Sequence, residues 1–192
     1  KMKTSLFLVF SCLASTLAQT SVVFDPPDPS SFLQNTSFAV SDGIGFVTSN
    51  DADALWSFDL STGQILDPDG MALTGMSSDV FLFANARAAI PGNFPSSGSN
   101  WGIWVADVST PSDLQAVGLI SLPSTSCISG QNVVVGADGV TGYISSFTDD
   151  KLYSFSTQTP GLVDPDGVSL PGNPMNIAIA GDRIVVLDST TP

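Results

Sequence analysis

Histidine and glutamate are both absent from the 192 residues, and lysine plus arginine number only 5 against 18 acidic residues, all of them aspartate. Without histidine there is no Ser-His-Asp triad, no imidazole base, no histidine-ligated haem and none of the usual zinc ligand sets. A formal charge of −13 also excludes a basic face for nucleic acid. Missing glutamate removes a good helix former, while 17 glycines and 13 prolines favour short strands joined by turns. Cysteine is scarce as well, with only Cys12 and Cys127. These absences narrow the chemistry far more than they name it.

What is present begins with an address. Lys1-Met2-Lys3 gives a positive start, Leu6 to Ala14 an apolar run, and Thr16 and Ala18 the small residues that signal peptidase reads. Residues 1–18 are therefore expected to be a signal peptide. The apolar run is too short to span a bilayer comfortably, and no other stretch approaches that length. The expected product is exported, to the extracellular space, the periplasm or the cell surface, with no stable membrane insertion after cleavage. Cleavage leaves Arg87, Lys151 and Arg183 against 18 aspartates, a net charge of −15. It leaves Cys127 alone, so no internal disulfide is possible and stability must come from packing. Residues 19–35, containing the run FDPPDPSS, read as a Pro-rich linker. Asn35-Thr36-Ser37 is an N-glycosylation sequon, with meaning only in a eukaryotic secretory pathway.

A repeat organises the remainder. The segments Leu55-Trp56-Ser57-Phe58, Ile103-Trp104-Val105-Ala106 and Leu152-Tyr153-Ser154-Phe155 place aromatic anchors at 56, 104 and 153, spacings of 48 and 49. The motif DPDG begins at Asp67 and again at Asp164, a separation of 97 that equals the sum of those spacings. Two independent markers thus give one period. Each repeat contains four short segments with strand-like alternation, separated by Gly, Asn, Asp and Ser. Four strands in 40 to 50 residues make one blade of a β-propeller. The expected fold is all-β, with blades at about 36–75, 76–123 and 124–172 and a partial fourth at 173–192. About three and a half blades fall short of the number that closes a ring, so an incomplete propeller is expected. The alternative is a compact four-blade ring whose last blade is completed by an N-terminal strand.

The strings GFVTSNDADALWSFDLSTGQIL and GYISSFTDDKLYSFSTQTPGLV resemble the YVTN-type repeats of surface-layer and YncE-like propellers. GIWVADVSTPSDLQAVG is similar to an LVIVD-type repeat. The resemblance spans residues 36–192 and implies the shape of the lactonase-like superfamily. It carries no catalytic residue across, because no active-site motif matches. The second repeat departs from the pattern, lacking DPDG and inserting AIPGNFPSSGSN.

Four aspartates are the candidate site. Asp51 and Asp53 lie in the connection SNDADA, Asp149 and Asp150 in FTDDK, and the period maps Asp53 onto Asp150. Equivalent loops emerge on one end of a propeller, where clustered carboxylate oxygens can hold Ca²⁺. The competing reading makes them turn residues that keep the rim soluble, and the full EF-hand spacing is missing. No other cofactor is evident. DPDG reads as a turn or bulge in the outer strand, its charge blocking edge-to-edge pairing. The periodic aromatics read as packing between blades. Trp101, outside the period, is the candidate exposed binding aromatic. The functional expectation is a non-catalytic exported scaffold for an unknown protein or surface ligand. The alternative is a lactonase-like or other metal-dependent hydrolase with a carboxylate-lined channel. Intact-mass analysis of the secreted product is expected to place its N-terminus at Gln19, and a product retaining residues 1–18 would refute the cleavage assignment.

Overall fold

The computed structural model describes residues 6–8, 22–24, 37–49, 52–94, 101–123 and 133–188. Every regular element among them is a strand. The first two, β1 (Leu6–Leu8) and β2 (Val22–Phe24), pair antiparallel, one on each side of the expected cleavage point. From Ser37 onward the repeat becomes a series of antiparallel sheets. β3 (Ser37–Ser41), β4 (Ile44–Ser49), β5 (Ala54–Asp59) and β6 (Met71–Ala72) lie side by side in that order as blade 1. Blade 3 repeats the order with β12 (Val133–Val135), β13 (Thr141–Ser146), β14 (Lys151–Ser156) and β15 (Gly161–Ser169). A two-stranded sheet of β16 (Pro174–Ala180) and β17 (Arg183–Asp188) comes next as the half-blade. Three blades and a half-blade are thus present among the described residues. Cys127 and Asn35 lie outside the described residues.

Blade 2 comprises β7 (Met76–Ser77), β8 (Phe81–Phe83), β9 (Arg87–Asn93), β10 (Gly102–Asp107) and β11 (Gln115–Ser121). Its inner strand is split because β7 and β8 both pair with β9, on either side of Pro91. Proline has no N–H for a ladder, so continuous pairing there is blocked. The Ser78 N–H (2.8 Å) and hydroxyl (2.9 Å) both donate to the Pro91 carbonyl instead. The sequence run AIPGN, which looks like an insertion, is thus largely strand.

Turn chemistry fixes the meander. Asp42 and Gly43 both have positive φ (51° and 79°), the two-residue turn whose twist suits β3 and β4. At the opposite end of the sheets, Asp53 and Asp150 occupy the same left-handed conformation (φ 46° and 51°). Their carbonyls accept from Leu73 N (2.6 Å) and Leu170 N (2.7 Å), tying each fourth strand back to the turn. The period read from sequence is therefore a period in hydrogen bonding.

DPDG behaves as the turn chemistry requires. In blade 1 it separates the Phe58–Ile65 bridge from β6; in blade 3 it bulges a continuous β15, shifting register opposite Tyr153. Gly70 and Gly167 share φ 64°. A Cβ on either would meet an anchor ring, at 2.6 Å from Trp56 Nε1 or 2.8 Å from Tyr153 Cε1. The exposed-edge reading is corrected in blade 1, where Asp67 is 8% exposed and accepts the Leu114 N–H of blade 2 at 2.9 Å. Its carboxylate joins two blades.

Alternation sends one side chain in two to each neighbouring blade. Phe46, Leu55, Met71, Ile90, Ala106 and Leu114 fuse blades 1 and 2. Ile103, Val105, Ile144, Tyr153 and Phe155 fuse blades 2 and 3. Gly45 and Gly142 lie directly opposite Phe58 and Phe155, whose rings cover them. A methyl at Gly142 would stand 2.2 Å from Phe155 Cζ, and that ring is fully buried. Gly142→Ala is expected to lose about 1–3 kcal/mol by overpacking. Gly161→Ala, where a Cβ meets nothing closer than 3.8 Å, should leave the urea midpoint unchanged.

Candidate functional site

In an antiparallel meander the turns alternate between two ends of each sheet, which sorts the acidic residues into two sets. The β4–β5 and β13–β14 turns occupy equivalent places in their sheets, and Asp53, Asp149 and Asp150 lie in or beside them. Asp51 lies outside the described residues. Asp53 and Asp150 are backbone-determined there, since aspartate tolerates the left-handed conformation better than most residues. Asp149 Oδ2 accepts the hydroxyls of Ser146 and Tyr153, each at 3.1 Å. Burial first, and then the Asp149 carboxylate, push the Tyr153 phenol up to about 12. Asp150 Oδ1 is buried and has no hydrogen-bond donor. Among the described residues no three His, Cys, Asp or Glu side chains are grouped to hold a metal ion.

Asp79, which the spacing argument missed, stands on the same end just before β8. It accepts a hydrogen bond from the Ser37 hydroxyl at the start of β3, and Val80 N donates to Asp79 Oδ1 at 2.8 Å. Its only signal in the sequence was a second acid immediately before a first strand. At this end, then, most carboxylates are engaged in turns and in blade-to-blade bonds.

The opposite end carries the β3–β4, β8–β9 and β10–β11 turns. Asp107 is held down to about 2 by the Ser109 hydroxyl and amide and by Arg87, its cross-strand neighbour and ion-pair partner. Asp59 is lowered by the Ser61 hydroxyl and the Thr62 and Ser61 amides, and Asp138 by the hydroxyl and amide of Thr141 and the amide of Val140. These carboxylates cap their own turns. Between blades 1 and 2 the turns leave a groove of about 450 Å³ lined by Asp42, Ile44, Phe46, Leu82, Val108 and Ser109, among others. A smaller recess of about 190 Å³ recurs in the equivalent place between blade 3 and the half-blade, beside Tyr143, Ile179 and Arg183. No spacing rule finds such a groove, because its walls belong to different repeats.

The aromatics divide. Tyr153 is 2% exposed at the junction of blades 2 and 3, and Trp104 packs edge-on to Phe94 at 6.3 Å beside the junction of blades 1 and 2. Trp56 is buried with Val47, Ala54 and Phe58 in a cluster made by blade 1. Trp101 is half-buried against the blade 2–3 cluster, so it is not the exposed binding aromatic expected of it.

The raised phenol gives a pH test with a definite sign. A group whose folded pKa exceeds its unfolded value of about 10 contributes stability that is complete below pH 10. That contribution is lost as pH rises towards the folded pKa of about 12. Ultraviolet titration is expected to show one phenol ionising well above the ordinary range, and Asp149→Asn should move it downward.

No protein-family profile matches the sequence, and no curated protein matches it. Solved structures do resemble its fold. The chain is similar to the β-propeller domain of Cps50 (Swd1) from Myceliophteria thermophila, with 12% identity, TM-score 0.66 and coverage of 92% of this chain and 60% of that one. It is similar to hydrazine synthase from Kuenenia stuttgartiensis, with 13% identity, TM-score 0.62 and coverage of 81% and 41%. A candidate 6-phosphogluconolactonase from Bacteroides fragilis aligns at 13% identity and TM-score 0.52, covering 80% of this chain and 41% of its own. The chain thus spans between 41% and 60% of the length of these structures. At such identities the likeness concerns fold alone. It places the chain among proteins of β-propeller fold.

Proposed function

We propose that this chain belongs to an exported propeller that acts as a non-catalytic binding scaffold, its contact region being the groove between blades 1 and 2. The groove itself is the observation that carries the reading. It combines an apolar lining of Ile44, Phe46, Leu82 and Val108 with the carboxylate of Asp42 and the hydroxyl of Ser109. Mostly apolar walls with a few polar groups are what small-ligand and peptide sites have in common. The charge of the protein disfavours anionic partners and favours neutral or cationic ones. The signal-like N-terminus and the resemblance to YVTN-type surface propellers support the same reading.

A second reading is a lactonase-like or other metal-dependent hydrolase working at the opposite end. The buried Asp150 Oδ1, which accepts no hydrogen bond, supports it, as a carboxylate oxygen left for a hard cation such as Ca²⁺. The two readings separate in one set of measurements on the full secreted protein. With benzyltrimethylammonium as probe, NMR shifts are expected at Ser41–Phe46 and Leu82–Ala86, and are expected to vanish in Asp42→Lys and in Ser109→Trp. Stoichiometric Ca²⁺ binding that Asp150→Asn abolishes, together with EDTA-sensitive lactone hydrolysis, would reverse the choice.

A further inference from the structure

The two DPDG turns hold their glycines at the same φ, yet their first aspartates have different partners. In blade 3, Asp164 Oδ1 accepts the amides of Asp166 (3.1 Å) and Gly167 (3.3 Å), both within its own turn. In blade 1, Asp67 Oδ1 accepts the equivalent Gly70 amide at 3.2 Å, and Oδ2 crosses the junction to the Leu114 amide at 2.9 Å. Leu114 ends the connection between β10 and β11 of blade 2, residues 108–114. Blade 1 meets that connection a second time, where the fully buried Ser57 donates its hydroxyl to the Pro111 carbonyl.

The first part of the connection is fixed inside blade 2. The Val108 amide donates to the Ala86 carbonyl at 3.0 Å, and the Ser109 amide to Asp107 Oδ1 at 2.9 Å. The later part is closed on itself by the Asp113 amide donating to the Thr110 carbonyl at 2.9 Å, and it is tied to blade 1 at Pro111 and Leu114. This connection forms one wall of the groove, since Val108, Ser109 and Pro111 line it together with Asp42, Ile44 and Phe46 of blade 1. Neither Asp67 nor Ser57 lines the groove. Blades 2 and 3 are joined by other means. The outer strand of blade 2 has no DPDG, and the corresponding connection of blade 3 is held by Asn85 Nδ2 donating to Thr157 Oγ1 at 3.3 Å.

From these bonds we infer that Asp67 and Ser57 are positioning residues for the groove, an assignment that rests on the groove being the binding region. Blade 1 holds the β10–β11 connection of blade 2 at two points and so fixes the width of the opening. A wall held in place needs little ordering when a ligand binds, and it cannot retreat from a bulkier one. The Asp42 carboxylate beside Ile44, Phe46, Leu82 and Val108 suits a compact organic cation with an apolar body. The DPDG turn of blade 1 thus sets the size of the ligand without touching it.

Asp67→Ala and Asp164→Ala both remove turn bonds, but only the first removes a bond between blades. In the full secreted protein, the Leu114 amide is expected to exchange about tenfold or more faster in D67A and at the natural rate in D164A. The natural protein is expected to bind benzyltrimethylammonium about tenfold more tightly than the bulkier benzyltributylammonium. In D67A that preference is expected to shrink to within about threefold, while D164A keeps it. A general loss of stability would leave the ratio of the two affinities unchanged. Ser57→Ala is expected to act in the same direction as D67A, and it decides if D67A is not secreted. Natural-rate exchange at Leu114 in D67A, a size preference retained there, or equal binding of the two cations by the natural protein would overturn the proposal. If neither cation binds the natural protein, the binding-scaffold reading falls instead, and exchange at Leu114 alone decides whether blade 1 positions the wall.

Discussion

Face-to-face packing of successive sheets is the constraint on which everything else in this molecule rests. A strand offers every second side chain to each face. Each blade must therefore be apolar towards both neighbours, with no solvent face to relax the requirement. Phe46 and Leu55 point to blade 2 while Val47 and Trp56, one residue along, point away from it. The same division returns in blade 3, where Tyr153 and Phe155 turn to blade 2. The half-blade differs in exposure on its far face. Val185 and Leu187, on the side of β17 away from blade 3, are 54% and 63% exposed, whereas Phe46 and Thr48 at the equivalent positions of blade 1 are buried.

Polar bonds then set how the packed sheets are joined. Asp67 reaches the Leu114 amide, the Ser57 hydroxyl donates to the Pro111 carbonyl, and Asn85 donates to the Thr157 hydroxyl at 3.3 Å, each bond running from one blade to the next. A buried carboxylate such as Asp67 is tolerated because amide donors meet both of its oxygens. Elsewhere aspartate shapes turns, as at Asp42, Asp53 and Asp150, or caps them, as at Asp59 and Asp138. Aspartate suits that use better than glutamate would. The shorter side chain reaches backbone amides two and three residues ahead, which is the geometry these hairpins need.

Much of the fold is legible in the sequence. Blade order, the aromatic anchors and the equivalence of Asp53 with Asp150 come from period alone, because the same local turn chemistry repeats at the same place in each sheet. DPDG is readable as a bulge, yet its composition puts the aspartate at an exposed edge, where Asp67 does not lie. The Leu114 amide that buries Asp67 comes from another repeat, 47 residues away. Trp101 misleads for a similar reason, since exposure is set by the neighbouring blade and not by the Gly/Ser-rich run beside it. The groove is invisible to any spacing rule because Ile44, Leu82 and Val108 meet only when two blades are stacked.

The sequence by itself determined the strand periodicity, the turns and the face to which each side chain belongs. These depend on residues within a few positions of one another, and their spacing is written in the chain. Only the tertiary structure decided which carboxylates are buried, which aromatics are covered and where a cavity opens. Those outcomes depend on the distance between sheets, and that distance is set by side chains separated by an entire repeat.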